Sequence, residues 1–280
     1  MSSEDFLATM ASASARRARL LLESESEEAL LARAAAQPPP PRLSLNTGGF
    51  DIIAEIKLRS PAAGQLAGVG EDLETRAGAY ARAGACAVSV LTEPERFGGS
   101  EADLSRVART LAKADVPAMA KDFLVEPCQI AAARAAGAGG VLLIVTMLDD
   151  AQCVRMLECA TGLGMFVLLE TFDAVDLDRA GAILASGAGG QGQVLLGLNS
   201  RDLRSLEVDP GRLLALADRF PNGWPRVAES GLSEPGHAAA MASAGYDAGL
   251  VGTALMRAAV PDELIRSMRE AGTAARMNAA

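Results

Sequence analysis

Much of what enzyme chemistry commonly relies on is scarce in this sequence. Of 280 residues, one is histidine and four are cysteine. The lone His237 lies in GHAAAMASAG, a helix-like stretch, so neither a Ser-His-Asp nor a Cys-His mechanism is expected. Cys86, Cys128, Cys153 and Cys159 form no C-x-x-C pair. Reduced, unreactive thiols are therefore expected, and no metal site. Basic residues are outnumbered, with 26 Lys and Arg against 35 Asp and Glu, a net charge of -9 and a pI near 4.8. That balance argues against a nucleic-acid partner, which needs a basic face to neutralise phosphates. Arg16, Arg17 and Arg19 are too few to reverse it and read as a solvated helix face. No apolar run reaches the ~18–20 residues that cross a bilayer, so no membrane partner is expected. The opening MSSEDFLATMASASARRARLLLES lacks the basic start, apolar middle and cleavage site of a secretory signal. The default location is the cytoplasm. The G-x-G-x-x-G fingerprint of a doubly wound dinucleotide fold is also missing.

What is present is a repeating unit. Half of the residues are hydrophobic, enough for a large core. One helix is expected over residues 12–37, ended by the prolines of 38–41. A linker then runs to about Phe50, so residues 1–49 read as an extension and 50–280 as the main body. Strand-like apolar segments recur at 51–57, 86–91, 118–121, 140–145, 165–170, 194–198, 226–228 and 248–251. Alanine-rich helical segments separate them, several closing at glycines such as Gly84, Gly137 and Gly245. Eight strand–helix units imply a parallel sheet closed on itself, an α/β fold of the (β/α)8 TIM-barrel type with an extra N-terminal helix.

In such barrels the chemistry sits at the C-terminal ends of the strands. Those ends carry Glu55 and Lys57 on the first strand and Lys121 on the third. The fifth ends in Glu170, the sixth in Asn199 and the seventh in Glu229. Glu55 and Lys57 are two apart and follow the apolar Ile53 at the same parity, so all three should face inward. Five charges from four strands converging on one mouth are costly to bury unless paired or used. Mixed lysines and carboxylates shift one another's pKa values, as acid–base catalysis requires. The last two strands end differently. AESGL (228–232) and GLVGTALM (249–256) each put glycine beside a small polar residue and a helix start, a setting that suits phosphate.

The strings that carry these residues resemble one family. IIAEIKLRSP (52–61), SVLTEPERFGGS (89–100), AKDF (120–123), VLLIVTML (141–148), VLLE (167–170), LGLNSRDL (196–203), AESG (228–231) and LVGTALMR (250–257) are similar to motifs of the indole-3-glycerol phosphate synthases, in the family's order. The resemblance implies a phosphorylated small-molecule substrate, 1-(2-carboxyphenylamino)-1-deoxyribulose 5-phosphate. It implies ring closure, decarboxylation and dehydration without a cofactor or metal. Lys121 is then the general acid and Glu170 the base. Lys57 meets the anthranilate carboxylate and serves as an acid in dehydration. Glu55, Asn199 and Glu229 orient and polarise the substrate. Phe97, Phe123, Leu142 and Leu250 line the ring pocket, and Ser60, Ser230, Gly231, Gly252 and Thr253 the phosphate pocket. Leu58, Ala62 and Ala63 depart from the family pattern, which has a basic or polar residue, serine and lysine there. Arg59 is the remaining candidate for a positive charge in this first loop. A monomer or weak homo-oligomer is expected.

Two alternatives remain at this level. One is another phosphate-binding barrel lyase or isomerase. Phosphoribosylanthranilate isomerase, the nearest in pathway, would place a cysteine where Glu55 and Lys57 stand. The other is an inactive paralogue acting as a partner, for which loss of Lys121 or Glu170 would be the mark.

Overall fold

The computed structural model describes residues 3–60, 64–66, 71–190, 192–201 and 208–279. Eight parallel strands close a barrel: β1 (Asp51–Ile56), β2 (Ala87–Leu91), β3 (Ala118–Lys121), β4 (Gly140–Ile144), β5 (Phe166–Thr171), β6 (Val194–Asn199), β7 (Arg226–Glu229) and β8 (Ala248–Val251). They are neighbours in sequence order, and β8 pairs with β1 through Asp51↔Ala248 to Ala54↔Val251. The eight segments expected from the sequence are these strands, with ends shifted by a residue or so.

The period of two sorts each strand into an inner and an outer face. In β1, Ile52, Ala54 and Ile56 join the outer core against the helices, whereas Ile53 joins the inner cluster. The inner cluster also holds Ala87, Met119, Leu142, Phe166, Leu168, Leu195, Val227 and Ala248. Leu43, from the linker that precedes β1, plugs the floor of the barrel, and its carbonyl accepts from Gln193 Nε2 at 2.9 Å. Continuing the inner parity upward from Ile53, Met119, Leu168, Leu195 and Val227 leads to Glu55, Lys121, Glu170, Asn199 and Glu229. The apolar layers below thus dictate where the polar groups emerge.

Two expectations about the N-terminus need correction. A single helix over 12–37 is replaced by α1 (Ser3–Ser24) and α2 (Glu27–Ala35). The break falls at Glu25-Ser26, where Ser26 turns extended and its side chain accepts from Ala29 N–H at 3.2 Å. Serine favours a cap over a helix interior for this reason. The arginine cluster is also not one solvated face. Arg16 and Arg19 are exposed, but Arg17 is half-buried and paired with Asp122. Leu30 and Ala34 of α2 and Ala18 of α1 pack on Cys128, Ala131 and Ala132 of α6 (Pro127–Ala135), which seats the extension on the barrel wall.

Gly84, Gly137 and Gly245 have φ of 91°, 99° and 92°, as helix-ending glycines adopt. A short antiparallel pair, Arg59–Ser60 with Gly64–Gln65, rises after β1. The departures at Ala62 and Ala63 lie outside the described residues, as does the Ser60 side chain. No described helix is long and apolar enough to cross a membrane.

Candidate active site

The strand ends open into a cavity of about 760 Å³ at the C-terminal face of the barrel. Glu55, Lys57, Lys121, Glu170, Asn199 and Glu229 all line it. So do Phe97, Phe123, Leu142, Leu250, Ser230, Gly231, Gly252 and Thr253. Every site residue expected from the sequence, Ser60 apart, therefore meets in one place.

Three ion pairs organise the polar end. Lys57 Nζ lies 2.7 Å from Glu55 Oε1. Lys121 Nζ bridges two carboxylates, 3.2 Å from Glu170 Oε2 and 3.3 Å from Glu229 Oε2. Asn199 Nδ2 donates to the other Glu170 oxygen at 3.3 Å, so both oxygens of that carboxylate are held. The carboxylates are almost wholly shielded, with Glu55, Glu170 and Glu229 at 3%, 3% and 1% exposure. Burial at this level makes charge partners decisive.

The titrating groups respond in opposite directions. Burial works against the Glu55 carboxylate, but Lys57 and Lys121 outweigh it and hold its pKa below the usual range. Burial likewise disfavours the Lys121 ammonium, yet Glu170, Glu229 and Glu55 together raise its pKa above that of an ordinary lysine. Glu229 goes the other way. Burial, and then the neighbouring Glu170 charge, push it well above the normal carboxylate value despite Lys121. Its Oε1 is buried with no hydrogen-bond partner among the described residues. Environments that drive neighbouring acids apart in this manner divide proton-donating from proton-accepting roles.

Two glycines make room for this network. A Cβ on Gly197 of β6 would fall 2.1 Å from Glu229 Oε1. A Cβ on Gly252 would fall 2.1 Å from Glu55 Oε1 and 3.0 Å from Lys57 Nζ. Gly252 thus has a role, housing the Glu55–Lys57 pair, that its sequence context did not disclose.

The far side of the cavity is shaped by the loops after β7 and β8. Ser230 (φ 67°) and Gly231 (φ 82°) are consecutive left-handed residues, and the first is unusual for a side chain other than glycine. Ser200 holds this turn, its hydroxyl donating to the Glu229 and Ser230 carbonyls, each at 3.2 Å. Opposite, the apolar wall is aromatic. The Phe97 and Phe123 rings are tilted with centroids 6.1 Å apart, and Phe6 of α1 meets Phe123 edge-on at 6.0 Å.

Several cavity residues are not marked in the sequence. Phe6 and Leu7 come from the N-terminal helix, a region with no signal linking it to a strand end. Leu91, Ile144 and Phe172 are apolar residues at the ends of β2, β4 and β5, and their inner parity is the signal that could have found them. Arg201 is two residues beyond Asn199, and that spacing was available. Its backbone N–H donates to Asn199 Oδ1 at 2.9 Å, and its charge acts on Glu55. Arg59, a candidate for positive charge beside the phosphate, turns elsewhere. Its guanidinium donates to the Arg96 and Glu95 carbonyls of α4 (Pro94–Phe97), at 3.0 and 2.5 Å. His237 is exposed, its Nδ1 within 3.2 Å of Ser233 N–H, and lies outside the cavity lining.

Comparison with known proteins agrees with this geometry. The chain resembles 3-hexulose-6-phosphate synthase from Salmonella typhimurium (TM-score 0.58, 13% identity), covering 82% of this chain and 100% of that one. It also resembles thiamine phosphate pyrophosphorylase from Pyrococcus furiosus (TM-score 0.57, 15% identity), over 82% and 98% of the two chains. At such identities these likenesses speak for the barrel alone. Sequence relatives say more. A protein of Micrococcus luteus named indole-3-glycerol phosphate synthase is 46% identical over 228 residues, 81% of each chain. One of Parafrankia sp. with the same name is 44% identical over 222 residues, 79% of this chain and 78% of its own. The family model described as indole-3-glycerol phosphate synthase matches residues 11–268, nearly the whole barrel together with most of the N-terminal extension, and the chain belongs to that family.

Proposed function

We propose that this cavity converts 1-(2-carboxyphenylamino)-1-deoxyribulose 5-phosphate to indole-3-glycerol phosphate, releasing carbon dioxide and water. The observation that carries the reading is the Lys121 ammonium held between Glu170 and Glu229 at the polar end of a largely apolar cavity. The substrate has matching parts: an aromatic ring, a carboxylate, a ketone and a phosphate.

In the first step the ring carbon bearing the carboxylate attacks the ketone carbon. Lys121 gives its proton to the ketone oxygen, which becomes a hydroxyl. The high pKa of Lys121 keeps it charged until the oxygen gains alkoxide character, when transfer becomes favourable. The attacking ring now carries positive charge, and the bond to the carboxylate breaks. Its electron pair returns to the ring, restoring aromaticity as carbon dioxide leaves. Lys57 is placed to hold the carboxylate beforehand. The hydroxyl then departs as water, protonated by Lys57, while Glu170 removes a proton from the adjacent carbon to complete the indole. Asn199 fixes the free face of Glu170, and Glu55 anchors the Lys57 ammonium at 2.7 Å.

The aromatic ring fits against Phe97, Phe123, Leu142 and Leu250. Excluding water there strengthens each charge interaction on the developing transition state. The phosphate fits at the opposite side, along the Ser230-Gly231 turn and the Gly252-Thr253 bend, with Ser60 contributing from the first loop. Arg257 borders this side of the cavity and adds positive charge.

The test is direct. Purified protein given the carboxyphenylamino substrate should develop indole fluorescence with stoichiometric carbon dioxide. Substrate left unchanged under conditions where the protein is folded would overturn the reading.

A further inference from the structure

The Lys121–Gln129 segment is held from outside the barrel. Asp122 follows Lys121 directly, and its side chain is 8% exposed. Four donors converge on its carboxylate. Arg17 of α1 supplies two, Nη1 to Oδ2 at 3.0 Å and Nη2 to Oδ1 at 2.7 Å. Thr92, at the end of β2, donates its hydroxyl to Oδ2 at 3.2 Å, and the Phe123 backbone N–H donates to Oδ1 at 2.7 Å. The paired, near-parallel bonds of arginine to both carboxylate oxygens fix orientation as well as distance.

The same helix grips the segment again one turn earlier. Ser14 accepts from Gln129 Nε2 at 2.8 Å, and Gln129 Oε1 in turn accepts the Val125 and Glu126 N–H groups at 2.9 and 3.1 Å. Nearer its N-terminus, α1 presses Phe6 against Phe123 and lines the cavity with Phe6 and Leu7. From the barrel itself, the Lys121 carbonyl accepts a ladder-like bond from Thr92 N–H at 3.1 Å. The strand has ended, and the residues beyond it need another template.

We propose that Arg17 is a positioning residue for ring closure. Through Asp122 it sets the end of β3, so that the Lys121 ammonium and the Phe123 ring face the substrate at their working separation. Lys121 is taken as the acid, as in the preceding reading. Without Arg17 the carboxylate loses two of its four donors, and its hold on Phe123 N–H slackens. Substrate affinity comes mainly from the phosphate and carboxylate contacts, which Arg17 does not touch. The loss therefore falls on kcat.

The experiment compares Arg17→Met, Arg17→Lys, Asp122→Asn and Leu30→Ala with the wild type, measuring kcat, KM and melting temperature. Leu30 is fully buried between α2 and α6 and touches neither Asp122 nor the cavity, so its truncation loosens the extension without disturbing the node. Misplacement by about 1 Å costs about 10²-fold in rate, so Arg17→Met should lose about 10- to 100-fold in kcat with KM nearly unchanged. Arg17→Lys, able to meet one oxygen, should fall between Arg17→Met and the wild type. Leu30→Ala should lower the melting temperature and keep wild-type kcat. Arg17→Met with kcat within about twofold of wild type overturns the proposal, as does an equal kcat loss in Leu30→Ala at an equal melting temperature. If Arg17→Met does not fold, the near-isosteric Asp122→Asn tests the same link, and wild-type kcat there overturns the proposal equally. A wild-type protein that fails to turn over the substrate refutes the ring-closing reading instead, so the two failures are distinguishable.

Discussion

Replacing Lys121 with methionine separates what this lysine does for the reaction from what it does for the fold. The substitution keeps most of the side chain's bulk and removes the cation that bridges Glu170 and Glu229. For the reaction, loss of a positioned proton donor should cost about 10²–10⁴-fold in kcat. For the fold, removing one partner from a buried charged set costs about 3–5 kcal/mol when the charge left behind stays uncompensated. At roughly 2 °C per kcal/mol for a chain of this size, that is about 6–10 °C in melting temperature. The cost depends on pH in a defined direction. Glu229 already has a folded-state pKa raised by burial and by Glu170, and Lys121 is what restrains it. Without Lys121 the value rises further. An acid whose folded pKa exceeds its unfolded one is at no disadvantage below the unfolded value, about 4.3, and loses stability as pH rises from there through the folded pKa. The melting deficit of the variant should be smaller near about pH 5 than near about pH 8. Indole fluorescence gives the rate, and melts at the two pH values give the deficit. More than about a third of wild-type turnover, or a deficit equal at both pH values, would refute the reasoning.

Gly252→Ala should lower kcat and raise KM together, because the new methyl lands 2.1 Å from Glu55 Oε1 and forces the Glu55–Lys57 pair apart. Unchanged kinetics would show that the pair has somewhere else to go. Gly231→Ala places a side chain at φ 82°, at a cost of about 1–2 kcal/mol, and should distort the turn assigned to phosphate. The KM for substrate and the inhibition constant of inorganic phosphate should then rise in parallel; a change in only one of them separates phosphate from that turn.

The barrel and most of its acid–base set were legible because both follow from a period of two. Alternation from Ile53 put Glu55 inward, and the same parity from Met119 and Leu168 delivered Lys121 and Glu170. Such information is local, carried within six residues of a strand. The rest was not local. Arg17 and Asp122 are 105 positions apart, and nothing in ARRARL distinguishes the arginine that turns inward from its exposed neighbours. Phe6 and Leu7 reach the cavity only because α1 crosses the end of β3. Arg59 lies in a motif shared with site residues, yet spends its guanidinium on α4 carbonyls, a choice made by the fold of two loops. Ser26 caps α2, but the helix-favouring residues on both sides masked this break in the sequence.

The hollow left by Gly197 has a bearing on how this protein can change. Glu229 Oε1 occupies space that any side chain on β6 at that position would claim, though Gly197 itself has no side chain to bind or react. In a saturation library screened for conversion of the carboxyphenylamino substrate, positions 197 and 229 should behave as one unit. Substitutions at 197 would be purged as strictly as those at 229. Escape variants at 197 should carry a shortened residue at 229, with the proton chemistry altered accordingly. A position chemically silent in the native enzyme would then limit which new reactions the barrel can reach.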